Sequence, residues 1–265
     1  MSTAPSTASI GDLLRDWRQR RRMSQLDLAV EAMVSPRHLS FVETGRSRPS
    51  RELVVDLAEQ LEVPLRERNS LLLAAGYAPA YRETPLDNAE MSPVREALDR
   101  LLAGHEPFPA VVLDRHWNVV SLNRPMAILS GEGVSSELLT PPANAMRVTL
   151  HPHGMAPRIT NLAEYSDHLL EQLRRQVVLT GDPAIAELEK EVRGYPGVSD
   201  RPPSFDQPVP LFVPLNIWVS GREMSFFNTL TAFGTALDIT MSELTIEALY
   251  PADDATAAAV REVWG

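Results

Sequence analysis

The sequence predicts an α+β protein of two domains, in which an all-α domain of five helices precedes an antiparallel-sheet domain that also contains helices. Three observations predict this class. At 265 residues the chain exceeds the usual size of a single domain. Apolar residues recur at helical spacing up to Gly76, and β-rich runs begin only at Phe108. We place the first domain, the head, at 9–78, a linker at 79–90 and the second domain, the body, at 91–265.

Charge is distributed unevenly along the chain. The net charge is −10, yet residues 11–51 hold nine arginines against five acidic residues. The excess of acidic residues lies after residue 80. A basic segment joined to an acidic remainder is typical of a protein whose first domain binds DNA while the second domain stays off the duplex.

Several function classes are disfavoured by what the sequence does not contain. Cysteine is absent, which excludes disulfides and thiolate chemistry. The first 23 residues hold five arginines without a signal-peptide core, and the longest apolar run is Leu71 to Ala75. We therefore expect a cytoplasmic protein with no membrane partner. The sequence has no phosphate-binding glycine loop and no nucleophile elbow, so we expect neither enzyme activity nor a cofactor.

Five short helices are marked by the residues at their ends. Serine stands before four of them as a helix N-cap, and Ser35 is followed by Pro36, which favours the first helical position. Gly45 and Gly76 stand where the third and fifth helices end. The predicted helices are 9–22, 24–32, 35–44, 50–61 and 65–75.

The second and third helices resemble a helix-turn-helix, in which the second helix of the pair lies in the DNA major groove. The motifs are Ser-Gln-x-x-Leu-Ala from Ser24, Val-Ser-Pro-Arg-His-Leu-Ser from Val34 and Glu-x-Gly-Arg-x-Arg-Pro-Ser from Glu43. In this order they closely resemble the lambda-repressor-like XRE family, whose DNA-binding domain has five helices. That family often has glycine where this chain has Met33. A left-handed backbone there would cost a residue other than glycine about 1 kcal/mol.

Position and chemistry select the candidate DNA contacts. Gln25 and Ser35 begin their helices, where side-chain and backbone donors meet phosphate. The start of the third helix supplies candidates for base edges, and the basic turn after it supplies clamps for the DNA backbone. These candidates are Arg37, His38 and Ser40 for base edges, and Arg46 and Arg48 for the backbone. The alternative for Arg37 and His38 is that they only solvate the helix surface. Phe41 and Glu43 are interpreted as packing residues.

The body alternates β-rich runs with helical spacing. A hairpin is predicted at 108–114 and 117–123, around the turn Arg115-His116. Further strands are predicted at 208–219, 223–233 and 237–250. The predicted helices of the body are 92–103, 161–179, 183–193 and a last helix that follows Pro251-Ala252-Asp253-Asp254 and ends at Trp264.

The hairpin has the form Val-x-Leu-Asp-x-x-Trp-x-Val-x-x-x-Asn from Val111 and resembles a PAS domain, a sheet that encloses a small ligand. The stretch 90–265 resembles the ligand-binding domain of MmyB-like regulators. The motifs that carry this resemblance are His151-Pro152-His153-Gly154, Arg158-Ile159-Thr160-Asn161, Phe226-Phe227, Phe233-Gly234-Thr235 and Tyr250-Pro251-Ala252-Asp253. The resemblance implies an XRE head coupled to a PAS-like sensor, with a fatty-acid-like molecule as ligand.

Candidates for the ligand pocket are aromatic residues of the predicted strands and basic residues able to meet a carboxylate. They are Trp117, Trp218, Phe226, Phe227 and Phe233, with Arg147, His151 and Arg158. The alternative for each aromatic residue is an ordinary core position. His151 and His153 would share one face of a strand. No third ligand stands at a diagnostic spacing, so we expect no metal site.

The leading interpretation is a ligand-responsive regulator that binds double-stranded DNA as a homodimer on an inverted-repeat operator. One head of this size reads few base pairs, which favours the dimer. Two alternatives belong to other classes. The first is a DNA-binding scaffold whose body has a filled core and contacts only protein. The second is an enzyme that carries a DNA-binding head.

Overall fold

The structure is a computed structural model that describes residues 8–198, 212–234 and 236–264. The described chain divides into two compact units. The head unit contains residues 8–84 together with Ala236–Ser242, and the body unit contains the other described residues. The segment Ala236–Ser242 therefore belongs to the head unit although it lies late in the chain.

The head unit has five α-helices in the first 75 residues, as predicted. Each of the first four begins after a serine whose hydroxyl accepts a backbone N–H of the first turn, which satisfies a donor that the helix itself leaves free. The helices are α1 Ile10–Arg20, α2 Gln25–Glu31, α3 Pro36–Glu43, α4 Arg51–Gln60 and α5 Leu65–Ala74.

The helices of the head enclose a core of leucines that are fully buried, among them Leu14, Leu28 and Leu39. Close packing of α1 against α3 depends on Gly11. A Cβ added there would lie 2.5 Å from the carbonyl oxygen of Glu43, so any side chain would push the two helices apart.

The body unit is built on one antiparallel sheet of five strands, in the order β2-β1-β5-β4-β3. The first and last strands of the chain therefore pair at the centre of the sheet. This is the predicted PAS-like architecture. The strands are β1 Ala110–Leu113, β2 Val119–Leu122, β3 Leu215–Val219, β4 Arg222–Ala232 and β5 Thr245–Pro251.

Helices cover both faces of this sheet. Helix α6, Ser92–Gly104, packs Leu98 and Leu102 against Ala110 and Val112 of β1. The other face carries the larger core, to which five helices contribute. They are α7 Arg124–Gly131, α8 Ala145–Leu150, α9 Leu162–Thr180, α10 Pro183–Arg193 and α12 Asp254–Trp264. The sequence did not predict α7 and α8. Within the described residues, no helix is both long and apolar enough to cross a membrane.

Two predicted strands differ from the structure. The strand predicted from Pro208 begins at Leu215, and its first four residues lie outside the described part of the chain. The strand predicted from Leu237 begins only at Thr245. Before it, Asp238 caps the short helix α11, Ile239–Ser242, because its carboxylate accepts the Met241 N–H. The capped helix occupies the first residues of the predicted strand, so the strand itself begins only after the helix.

Candidate functional site

The turn between α2 and α3 has the geometry that the sequence implied. Met33 has a φ of 51°, in the left-handed region, and its side chain is 92% exposed. The next residue, Val34, donates its N–H to the Ala29 carbonyl at 2.9 Å and closes the turn. A glycine-type conformation is thus held by methionine, at a cost of about 1 kcal/mol that packing of the two helices offsets.

Glu43, at the end of α3, joins three helices. Its carboxylate accepts Arg18 Nε at 2.8 Å and Arg18 Nη2 at 3.0 Å, and also the Gln25 amide at 3.0 Å. Glu43 is only 3% exposed. The packing role predicted for Glu43 is confirmed. The last of these bonds turns the amide nitrogen of Gln25, predicted as a phosphate contact, toward Glu43, and the Gln25 side chain is half-buried.

The exposed side of α3 carries cations that other side chains do not neutralise. The Arg37 guanidinium lies 5.3 Å from the centre of the Phe41 ring, and that of Arg46 lies 6.0 Å from the same centre. Among the described residues, neither arginine forms an ion pair. Phe41 therefore holds two positive groups at the protein surface, where they face solvent and are free to meet an anion. His38 and Ser40 are half-buried on the same helix.

Ser35 and Arg48 make contacts within the head. The Ser35 hydroxyl accepts the His38 N–H at 3.1 Å as the cap of α3. Arg48 donates to the carbonyls of Ala75 at 3.1 Å and Gly76 at 3.3 Å, and its guanidinium lies over the Tyr77 ring. Arg48 thus holds the end of α5, a role that the basic turn did not reveal in the sequence.

The body has a half-open cavity of about 440 Å³ between its sheet and α7, α8 and α9. Most of its wall is apolar. This volume lies within the range of small-molecule sites. The apolar wall includes Val111, Val119, Leu122, Met126, Leu129, Leu139, Val148, Met155, Leu215 and Leu249.

Polar groups are few in this cavity. Glu247 of β5 and Tyr165 of α9 both line it, and Asn228 of β4 donates its amide to Glu247 Oε1 at 2.7 Å. Burial raises the pKa of Glu247, although the Asn228 bond opposes the shift. Burial, together with the charge of Glu247, also raises the pKa of the Tyr165 hydroxyl. Among the described lining residues there is no arginine, lysine or histidine.

Sequence reasoning missed Glu247, Tyr165 and Asn228. The available signal was a carboxylate within the strand-forming run Thr245 to Tyr250, where an acidic residue on a central strand must face a cavity or a partner. The run alone does not show that β5 is central. That fact depends on its pairing with both β1 and β4.

None of the predicted basic ligand contacts lines this cavity. Arg147 forms a two-bond ion pair with Glu191, at 2.8 and 2.7 Å. Arg158 donates to the Leu129 carbonyl at 2.7 Å, and burial lowers the pKa of its guanidinium. His151 packs edge-on against the Tyr195 ring. These side chains contact other parts of the protein and are not among the described residues that line the cavity.

The predicted aromatic contacts lie elsewhere for a geometrical reason. Successive residues of a strand alternate between faces, so Trp218 and Phe227 point away from their neighbours Ile217 and Phe226, which belong to the core beside the cavity. Trp218 is 47% exposed. Phe227 stacks on Tyr250 and lines a second cavity of about 470 Å³.

The two remaining aromatic candidates have structural contacts. Phe233 packs against the core under α6. Trp117, with a φ of 66°, donates its indole N–H to Gln176 at 2.7 Å and closes the β1–β2 turn.

The two histidines considered for a metal site contact each other, since the His151 ring accepts the His153 backbone N–H at 3.0 Å. In the described part of the chain, no group of three or more metal-ligating side chains is found.

A family model supports what these two sites suggest. The model of the MmyB-like transcription regulator ligand binding domain matches residues 94–263, which is more than half of the chain. The chain belongs to this family. A helix-turn-helix model matches residues 14–68, which include α2, α3 and the turn at Met33. The protein is therefore a DNA-binding transcription regulator with a ligand-binding domain.

Other comparisons give weaker likenesses. No curated protein matches the regulator. The crystal structure of the clp gene regulator ClgR from Corynebacterium glutamicum is 25% identical over 38% of this chain and 94% of that chain, with a TM-score of 0.23. An RNA-binding light-oxygen-voltage receptor is 12% identical over 96% of this chain and 60% of its own length, with a TM-score of 0.31. At these TM-scores we draw no conclusion on fold or function from either structure.

Proposed function

We propose that the head binds a specific DNA operator through α3 and that a small apolar molecule in the cavity of the body changes this binding. The observation that carries the proposal is that one chain combines an exposed helix bearing free arginines with a half-open, mostly apolar cavity. The first feature suits a polyanion, and the second suits an apolar ligand.

On the DNA side, Arg37 is the leading candidate for a base contact. It lies in the first turn of α3, is exposed, and has no carboxylate partner among the described residues. A guanidinium in that place is suited to the two acceptors of guanine in the major groove. Arg46, beside it on Phe41, is the candidate for a phosphate contact. His38 and Ser40 remain candidates on the same surface.

On the ligand side, the wall of the cavity supports an apolar body such as an alkyl chain. Each buried methylene contributes about 0.8 kcal/mol, so affinity rises with the length of the alkyl chain that the cavity holds, less the cost of ordering that chain. The family resemblance favours a fatty-acid-like molecule. The open volume also counts against the scaffold alternative, which requires a filled core.

We further propose that the regulator binds as a dimer on an inverted repeat, with half-site centres about one helical turn or a multiple apart. A footprint on the DNA upstream of its own coding sequence, together with the mass of the complex, tests this arrangement. A monomer that protects a single half-site would contradict it.

The coupling is tested by operator affinity before and after removal of bound lipid, with mass spectrometry to identify what co-purifies. Ala127→Trp narrows the cavity at an exposed lining position and should abolish the ligand effect. Ala103→Trp, at an exposed position of α6 outside the cavity, is the matched control and should retain it. Equal operator affinity with and without ligand would refute the coupling.

A further inference from the structure

The cavity has a charge that nothing in its described wall balances. Glu247 lies on the central strand β5 and lines the cavity. Its Oε1 accepts the Asn228 amide, which is a neutral donor. The described lining residues include no cation, so the carboxylate has no counter-charge within the space that it faces.

A buried carboxylate without a counter-charge is costly, and a fold tolerates it most readily where a partner arrives later. The raised pKa of Glu247 has burial as its first cause and agrees with this reading of the geometry. Folding leaves Glu247 half-buried, so part of its hydration is already lost. A cationic ligand would therefore displace less water from the carboxylate than from one at the surface, and it would gain the electrostatic attraction.

An anionic ligand meets the opposite situation. A carboxylate that entered head first would face Glu247 across an apolar space, where repulsion between like charges is poorly screened. The basic residues that would offset this repulsion are occupied elsewhere, Arg147 by Glu191 and Arg158 by the Leu129 carbonyl.

We propose that the natural ligand of this cavity is an apolar molecule bearing an amine, and that Glu247 selects it by pairing with the ammonium group. The apolar wall holds the alkyl or ring portion, and the Asn228 amide fixes the carboxylate toward the ligand. Tyr165, on the same wall, supplies a second polar contact. The inference rests on the proposed function but changes its ligand class, because an amine replaces the acid head group that the family resemblance favours.

Calorimetry on the delipidated full chain tests this with three probes of equal chain length: octylamine, octan-1-ol and octanoate. Octylamine should bind at least about tenfold more tightly than octanoate, because only the amine pairs with the buried carboxylate. In Glu247→Gln this preference should disappear while octan-1-ol still binds, which shows that the cavity remains. Glu171→Gln, on the exposed side of α9, is the control and should behave as the parent.

If the parent chain binds octanoate as tightly as octylamine, the inference is overturned but ligand sensing is not. A preference for amine that survives in Glu247→Gln would also overturn it. If that variant does not fold, Glu247→Asp keeps the charge and should keep the preference; a loss there would count against the pairing. No binding of any probe, with operator binding intact, would refute ligand sensing itself.

Discussion

Replacement of Arg37 and of Arg48 by alanine should have different consequences, although both arginines lie close to α3. Arg48 holds the end of α5 through two backbone carbonyls and the Tyr77 ring. Arg37 has only the Phe41 ring as a partner among the described residues. We expect Arg48→Ala to lower the stability of the head and Arg37→Ala to lower its DNA affinity.

The magnitude for Arg48 follows from its contacts. Each of its hydrogen bonds, at 3.1 and 3.3 Å, contributes about 0.5–1 kcal/mol at an exposed site. The contact with Tyr77 adds about 0.5 kcal/mol. Arg48→Ala should therefore destabilise the head by about 2 kcal/mol, which lowers the unfolding midpoint of a domain this small by roughly 10 °C. Arg37→Ala should cost about 1–3 kcal/mol of operator binding and leave stability nearly unchanged.

Hydrogen exchange of α5 amides measures the first effect, and fluorescence anisotropy on operator and scrambled duplexes at two salt concentrations measures the second. Arg100→Ala removes an equal charge from an exposed position of the body and is the control. If Arg48→Ala leaves α5 unchanged and weakens both duplexes equally, Arg48 is a phosphate clamp and the structural reasoning is wrong. If Arg37→Ala weakens both duplexes equally, Arg37 reads no base.

Three further predictions concern buried charge and coupling. Glu43→Gln should lower the free energy of unfolding of the head, measured with urea, by about 3 kcal/mol, because it leaves the Arg18 guanidinium without its charge partner. In the body, burial raises the pKa of Asp182 but bonds from Arg115 and neighbouring donors outweigh it and lower that pKa to about 2. Ionised Asp182 should therefore add about 2 kcal/mol to the free energy of unfolding above roughly pH 4. This stabilisation is lost as the pH falls through the pKa that Asp182 has in the folded state, and Asp182→Asn should remove it. Asp238→Ala should retain cavity binding but reduce the effect of ligand on operator affinity by about 1 kcal/mol.

Matched controls separate these effects from general losses of charge. Glu59→Gln and Asp99→Asn change exposed carboxylates of α4 and α6 and should leave urea and acid unfolding unchanged. Asp87→Ala removes an exposed carboxylate of the segment 79–90, predicted as the linker, and should leave the ligand response unchanged. A ligand response that is intact in Asp238→Ala would show that the contacts of Asp238 play no part in coupling.

The head could be predicted from sequence because its signals are local. Serine caps, Pro36 and Gly45 fix where helices begin and end within a few residues of themselves. The left-handed turn at Met33 was implied by the resemblance to a family that often has glycine at this position. Glu43 was recognised as a packing residue, but its three-helix network required the fold to bring Arg18 and Gln25 to it.

The cavity could not be predicted in this way, because it depends on pairing between distant strands. Hydrophobicity favours Trp218 and Phe227 as strongly as Ile217 and Phe226, and only the register of the sheet shows which pair faces the core beside the cavity. A similar limit applies to Arg158, whose partner at Leu129 belongs to a helix that the sequence did not predict.

Coupling between ligand and DNA requires an element whose position both can bias, since a ligand shifts an equilibrium only by its difference in affinity for two states. We propose the segment Ala236–Ser242 as this element, because the chain runs from it directly into β5. It belongs to the head unit, where Asp238 accepts the Thr84 N–H and Ile239 donates to the Arg82 carbonyl at 2.8 Å. A few residues later the same chain forms β5, which carries Glu247 into the cavity. A ligand that pairs with Glu247 acts on a strand whose preceding residues are held by the head. If that ligand changes operator affinity by some factor, operator binding must change the affinity for the ligand by the same factor.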